Sequence, residues 1–232
     1  IPYDPTFAYE LAVIMHDGLR RMYAEQEDVY YYLTVMNENY AHPAMPEGAE
    51  AGILKGMYLF RQGGTGKGPR VQLLGSGAIL NEVIAAADLL KQDWGIEADI
   101  WSCPSFTLLA RDGVATARWN LLHPTAEPRK PYVQQCLENT EGPVIASTDY
   151  VRAFAEQIRP YVPGRYQVLG TDGFGRSDTR EKLRHFFEVD RYWVTTTSLA
   201  ALAEEEKLDP AKVAEAIKKY GIDVDKPNPL TV

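Results

Sequence analysis

The sequence has 232 residues, 45% hydrophobic and 24% charged, enough for one large globular domain or one domain with part of another. Its formal net charge of −8 argues against a nucleic-acid backbone as partner, and no apolar run approaches the roughly 20 residues a membrane helix needs. Cys103 and Cys136 stand far apart with no disulfide or metal-ligand pattern, which fits a reducing cytoplasm.

The start, Ile1-Pro2-Tyr3-Asp4-Pro5, lacks signal-peptide character and an initiator Met, as a chain cut from a longer protein would. Phe7, Leu11, Ile14, Met15, Leu19 and Met22 then recur at helical spacing, with Glu10, His16, Asp17, Arg20 and Arg21 between them, and predict a helix. Val29-Tyr30-Tyr31-Tyr32-Leu33-Thr34-Val35-Met36 reads as a strand, rich in branched and aromatic residues. Residues 37–48 form a connection with Pro43 and Pro46, and a domain boundary near Pro46 divides the chain into 1–46 and 47–232.

Beyond that boundary strands and helices alternate. A glycine-rich loop, 61–69, leads into a strand at 71–74, and Gly75-Ser76-Gly77 turns the chain into a helix over about 79–90. Residues 98–102 form a second strand; Ser105 then caps a helix through Phe106, Leu108, Leu109 and Ala110, with Asp112-Gly113 as an interruption. Residues 123–131, with three prolines, are loop. A third strand at 144–147 precedes a helix carrying Tyr150, Phe154, Ile158 and Tyr161, and a fourth lies at 166–169. Asp178 with Glu181 starts the next helix as a capping box would. Residues 192–203 are read as helix despite the strand propensity of Trp193 to Thr197, and a last helix over 211–220 stops at Gly221. The alternation predicts an α/β fold of right-handed βαβ units, a mostly parallel sheet with helices on both faces.

Four stretches are candidate sites. Gly75-Ser76-Gly77 stands where a dinucleotide fold places its phosphate loop, but the third glycine of that fingerprint is replaced by Leu80, which favours a plain strand-to-helix turn. Gly63-Gly64-Thr65-Gly66-Lys67-Gly68 fails as a nucleotide loop, because Gly68 follows the Lys and a strand comes next; it reads as a mobile surface loop. Thr171-Asp172-Gly173-Phe174-Gly175-Arg176-Ser177-Asp178 lies beyond a parallel strand, the edge where open α/β sheets place sites. There Arg176 can hold an anion and Phe174 can anchor a contact; the readings are a βα turn, a subunit or domain contact, or a catalytic role. Asn37-Glu38-Asn39-Tyr40 can orient a polar group or simply end a strand. Of the four histidines, His42 and His123 precede prolines in loops and are better candidates than helical His16 and His185.

The segments NENYAHPAMPEGAEAGILKGMY, VQLLGSGAIL, SFTLLARDG, RWNLLHP, ASTDYVRAFAEQIRPYVP and LGTDGFGRSDTREKLRHFFEVD, with an IDVDKPNP tail, resemble the homodimeric bacterial pyruvate dehydrogenases, the decarboxylating component of their complex. The similarity runs in order along essentially the whole chain. It implies a transketolase-like enzyme of three α/β domains, a cytoplasmic homodimer using thiamine diphosphate and Mg²⁺. It decarboxylates pyruvate and passes the two-carbon unit to lipoamide on the dihydrolipoyl acetyltransferase component. Residues 1–46 would end the pyrimidine-binding middle domain, and 47–232 would form the transketolase-type carboxy-terminal domain. The family's diphosphate and metal site, activating glutamate and catalytic histidines all lie upstream, so no residue here inherits them and no cofactor is expected on this chain alone. Its expected share is contact: Asn37, Glu38, Asn39, His42, Asp172, Phe174, Arg176 and Asp178 are candidates for subunit contacts or a cleft edge. The alternative is a stable module for assembly of the multienzyme complex. A free-standing nucleotide-binding protein is disfavoured by Leu80.

Overall fold

The computed structural model describes residues 1–66 and 68–232; Lys67 of the glycine-rich loop lies outside the described residues. A two-stranded parallel ribbon joins β1 (Pro2–Tyr3) to β2 (Tyr32–Leu33), with α1 (Ala8–Leu19) and a wider π turn, Arg20–Ala24, between them. After α2 (Glu50–Lys55) come β3 (Tyr58–Arg61), β4 (Arg70–Gly75), a 3-10 turn at Gly77–Ile79, α3 (Leu80–Trp94) and β5 (Glu97–Ser102). The chain continues through α4 (Phe106–Leu122), α5 (Tyr132–Leu137), β6 (Val144–Ser147), α6 (Ala153–Glu156) and β7 (Tyr166–Leu169). It ends with α7 (Arg180–Phe186), α8 (Arg191–Glu204) and α9 (Pro210–Lys219).

The main sheet has the order β3-β5-β4-β6-β7, parallel throughout except for the antiparallel edge strand β3. Strand alternation sends Val71, Leu73 and Ile145 to one face, where they pack with Leu80, Val83 and Leu90 of α3 and Val194, Leu199 and Leu202 of α8. Leu74, Val144 and Ala146 face the other side, against Phe106 and Leu109 of α4, Val133 and Leu137 of α5 and Ala155 of α6. Helices therefore cover both faces. A third cluster joins Tyr3 and Ile14 to Ile53 of α2 and Tyr58 of β3, so the first 33 residues are built onto the sheet's β3 side. Full burial of an Ile or Leu side chain contributes about 1.5–3 kcal/mol, so these clusters hold the layers together.

Several expectations need correction. The aromatic run at 29–36 yields only the two paired residues of β2, because strand propensity needs a neighbouring backbone and Pro2–Tyr3 offers two partners. Gly113 does not interrupt α4, which runs unbroken from Phe106 to Leu122, and the ring of Tyr161 lies in the space a side chain there would fill. The helix expected after β6 shrinks to α6 and a 3-10 turn at Arg159–Tyr161, leaving Tyr150 outside it. Thr179, not Asp178, is the N-cap of α7: its Oγ1 accepts from Lys182 N at 3.4 Å, and Asp178 Oδ1 accepts from Thr179 N at 2.8 Å. The glycine-rich loop is anchored at Gly63 and Gly64, with Gly63 N donating to Asp99 Oδ1 at 2.8 Å and Gly64 N to Glu97 Oε2 at 2.7 Å, while Thr65, Gly66 and Gly68 are exposed.

Candidate functional site

β4 leads through α3 to β5 on one side, and β6 leads through α6 to β7 on the other, so the crossovers diverge at the carboxyl ends of β4 and β6. Such a divergence opens a crevice where α/β folds bind ligands. Here Gly75-Ser76-Gly77 and Ser147-Thr148-Asp149 meet, and Ser76 Oγ donates to Thr148 Oγ1 at 3.2 Å. The chain's own start covers the glycine turn. Gly77 N donates to Asp4 O at 3.1 Å and Thr6 Oγ1 donates to Gly77 O at 2.7 Å. Asp4 Oδ1 in turn accepts from Thr34 Oγ1 at 2.5 Å and Tyr150 OH at 3.1 Å. The amide that an anion would use at this turn is thus already engaged by a backbone carbonyl.

Glu10 fastens the same segment from below. Its buried carboxylate takes four donors: Thr6 N at 2.5 Å and Phe7 N at 3.1 Å on Oε2, Tyr58 OH and Ser102 Oγ at 2.6 Å each on Oε1. Burial nevertheless raises its pKa above the ordinary carboxylate value, against the pull of those hydrogen bonds. Tyr9, its hydroxyl 2.6 Å from that of Tyr58, is pushed up to about 12, chiefly by burial. Cys103 next to this cluster is fully buried and its thiol is raised well above the usual range, which keeps it protonated and a poor nucleophile.

The open part of the site is a cleft of about 840 Å³ beside this edge, lined by Glu38, Glu82, Arg180, Arg184, Arg191 and Lys226 among others. Glu38 and Arg184 form a two-point pair, Oε2 to Nη2 at 2.5 Å and Oε1 to Nη1 at 3.2 Å. Arg184 Nη1 also reaches Glu82 Oε1 at 3.3 Å, and Glu82 holds Arg191 through Nε at 2.8 Å, Nη2 at 3.1 Å and the backbone N at 3.0 Å. Burial alone would push the Glu82 carboxyl up; the hydrogen bonds and charge of Arg191, with Arg184, hold it below the ordinary range. Asp149 stands near Arg184, Glu38 and Glu82, and burial pushes its carboxyl up. What results is a chain of alternating charge running from the loop after β2 through α7 and α3 to α8.

The candidates from the sequence separate into three places. Glu38 belongs to the cleft, while Asn37 and Asn39 on either side are exposed. His42 caps α1, its Nδ1 accepting from Ala8 N at 3.1 Å and its ring near those of Tyr40 and Phe7. Asp172 accepts from Arg152 Nε at 2.5 Å, and the Arg176 guanidinium lies 4.1 Å from the centre of the Phe186 ring. Phe174 between them is 80% exposed, on a loop whose Gly173 (φ +102°) backs onto Pro229 of the tail. Sequence reasoning missed Glu82, Arg184, Arg191 and Asp149. Only Asp149, just beyond the third predicted strand, carried a positional signal; the others sit in helices where a charge normally marks a solvated face.

A magnesium–diphosphate group does not fit these residues. Among the described residues no group of three His, Cys, Asp or Glu side chains is placed to hold a metal ion. The glycine turn best suited to a phosphate is closed by Asp4 and Thr6.

Residues 56–190 match the family described as transketolase-like TK C-terminal domain, and residues 1–43 match the pyruvate dehydrogenase E1 component middle domain. The chain is 72% identical to the pyruvate dehydrogenase E1 component of Cupriavidus necator over 100% of its own length and 26% of that protein. With the same component of Escherichia coli K12 it shares 57% identity over 99% of this chain and 26% of the relative. It therefore spans about a quarter of the length of the curated relatives it matches. Among solved structures, transketolase from Campylobacter jejuni superposes with a TM-score of 0.59 at 17% identity, covering 86% of this chain and 26% of that one. A split-gene transketolase, described as an inactive beta4 tetramer, superposes at 0.50 with 16% identity, covering 87% and 56%. No helix among the described residues is long and apolar enough to cross a membrane.

Proposed function

This chain belongs to the transketolase-like C-terminal domain family, as the carboxy-terminal portion of a bacterial pyruvate dehydrogenase E1 component, and on that premise we propose that it serves domain and subunit contacts rather than chemistry. The parent reaction is the decarboxylation of pyruvate with transfer of the two-carbon unit to lipoamide, in the cytoplasm. Thiamine diphosphate, anchored through Mg²⁺, would supply the electron sink for that reaction when bound. In this reading the groups that hold them, and those that move protons, lie in the three quarters of the relatives' length that this chain does not span. Residues 1–46 close the middle domain and 47–232 form the C-terminal domain.

The observation that carries the reading is the closed switch point. The crevice of the C-terminal sheet is filled by residues 4–10, from the stretch matched to the middle domain, so the edge that would bind a ligand serves a domain junction instead. A homodimer partner and the dihydrolipoyl acetyltransferase component are the proposed neighbours, and the exposed Phe174 on its braced loop supports the related reading of an assembly module.

Calorimetric titration with thiamine diphosphate and Mg²⁺ tests it, using the full-length E1 component from Escherichia coli as control. The chain should give no binding heat where the control gives saturable heat. Saturable binding by the chain alone would place the cofactor site within these residues and overturn the reading.

A further inference from the structure

Arg184 joins α7, which is otherwise held near its end by His185 on Asp190 and by Lys226 on Phe186 O, to the loop that follows β2. α7 has 7 residues, none of them buried, and a helix so short is unstable without tertiary support. Residues 37–42 have no regular structure. They are fixed at one end by Tyr40 OH on Thr6 O and by His42 on Ala8 N. Among the described residues, every hydrogen bond from 37–42 to α3, α7 or α8 passes through Glu38 and Arg184, and the one further ion pair, Arg180 Nε to Glu38 Oε2, is longer at 3.9 Å. The Arg184 side chain is 13% exposed, Glu82 8% and Glu38 21%, so water screens this pairing less than it would a surface ion pair. The planar guanidinium meets both oxygens of Glu38 while one of its nitrogens also touches Glu82, a geometry that a lysine ammonium cannot reproduce.

We infer that Arg184 is the pin of an electrostatic latch, bridging Glu38 and Glu82 so that loop 37–42 and α7 are held, and released, as one unit. Glu38 and α7 both line the 840 Å³ cleft and meet at this pair, so releasing the pin widens the cleft where they touch. This goes beyond the contact role proposed above, and it holds whether or not the cofactor lies elsewhere. Breaking the pair from either end must loosen both elements, including the one that was not mutated.

Amide hydrogen exchange on the whole protein that carries this chain tests the latch. Glu38→Gln should raise exchange about tenfold in peptides over 34–42 and, equally, over 180–187, as expected for a lost charge-assisted pair. Peptides over 71–75 and 144–147 in the sheet should stay unchanged. Arg184→Gln should give the same pattern, Arg184→Lys should restore little of the protection, and the Glu38→Gln/Arg184→Gln double variant should add little to either single one. Exchange raised by Glu38→Gln in 34–42 alone would overturn the proposal, as would full rescue by Arg184→Lys. Should Arg184→Gln loosen the whole fold, the Glu38→Gln result decides, since it leaves the Arg184–Glu82 contact in place.

Discussion

The ring of Tyr161 occupies the space that a Cβ on Gly113 would need: such an atom would lie 2.1 Å from Cε2 and 2.3 Å from Cδ2. Gly113 is buried in the middle of α4, where alanine is normally favoured by about 1 kcal/mol. The overlap reverses that preference, because the rigid ring of Tyr161, packed against the cluster that holds Leu109 and Ile158, must shift to admit the added carbon. Overpacking of this kind costs about 1–3 kcal/mol. Gly113→Ala should therefore lower the unfolding free energy measured in urea by about 2 kcal/mol, and Tyr161→Ala should turn that loss into a small gain in the double variant. Equal losses in both backgrounds would show that the ring is not the obstacle.

Glu10 makes a pH-dependent prediction. Its pKa is raised in the folded protein by burial, so the folded state holds the proton more tightly than the unfolded chain does. The contribution is fully present below the ordinary value of 4.5 and is lost as pH rises through the raised folded-state value. Glu10→Gln keeps two acceptor sites for Thr6 N and Phe7 N, and its amide can donate to Tyr58 and Ser102 once those hydroxyls rotate. Wild type should thus lose stability relative to Glu10→Gln as the pH of a urea titration rises from 4.5 toward neutrality. A difference that stayed flat would mean that the four donors hold the carboxylate ionised throughout. Glu10→Ala strands those donors and should cost about 3 kcal/mol at pH 4.5, and less toward neutrality as the wild type itself loses stability.

Legibility in the sequence followed burial and length. β4, β5, β6 and β7 announce themselves as short apolar runs closed by turn residues, because parallel strands covered on both faces need apolar side chains on both. α2 and α5 are too short, at 6 residues each, to show a helical period, and β3 is a 4-residue edge strand of mixed polarity. The 171–178 loop could be located because it follows a strand, and so could Glu38. Their partners could not: Arg184 and Glu82 come from helices about 100 residues apart, and the fold alone makes them neighbours. Glu10 sits between the apolar positions of its helix and gives no sign of its distant partners Tyr58 and Ser102 for the same reason.

Asp190 was likewise hidden among charged neighbours, yet it fixes the start of α8. Its Oδ1 accepts from both Tyr192 N and Trp193 N at 2.9 Å, and its Oδ2 lies 3.0 Å from His185 Nδ1. Replacing an N-cap by alanine costs about 0.5–2 kcal/mol, and the upper half of that range applies here because α8 packs on α3 and β6 in the core. Asp190→Asn keeps the cap oxygen and should cost less than about 0.5 kcal/mol. If the two variants lost equal stability in urea, the contact with His185 would be the one that matters.

Phe174 separates the two uses a braced loop can have. At 80% exposure its ring contributes little to the fold, so Phe174→Ala should leave the unfolding free energy within about 0.5 kcal/mol of wild type. Gly173 beside it is different: at φ +102° an added Cβ would fall 2.1 Å from Pro229 O, so Gly173→Ala must displace either the loop or the tail. It should lower stability by about 1–3 kcal/mol. With the backbone beside it held by Pro229, the loop has less freedom to lose on binding, which suits a contact between subunits or components. Sedimentation of the whole protein should then show weaker association for Phe174→Asp at unchanged stability. Unaltered association, with Gly173→Ala alone destabilised, would reduce the loop to a turn that anchors the tail.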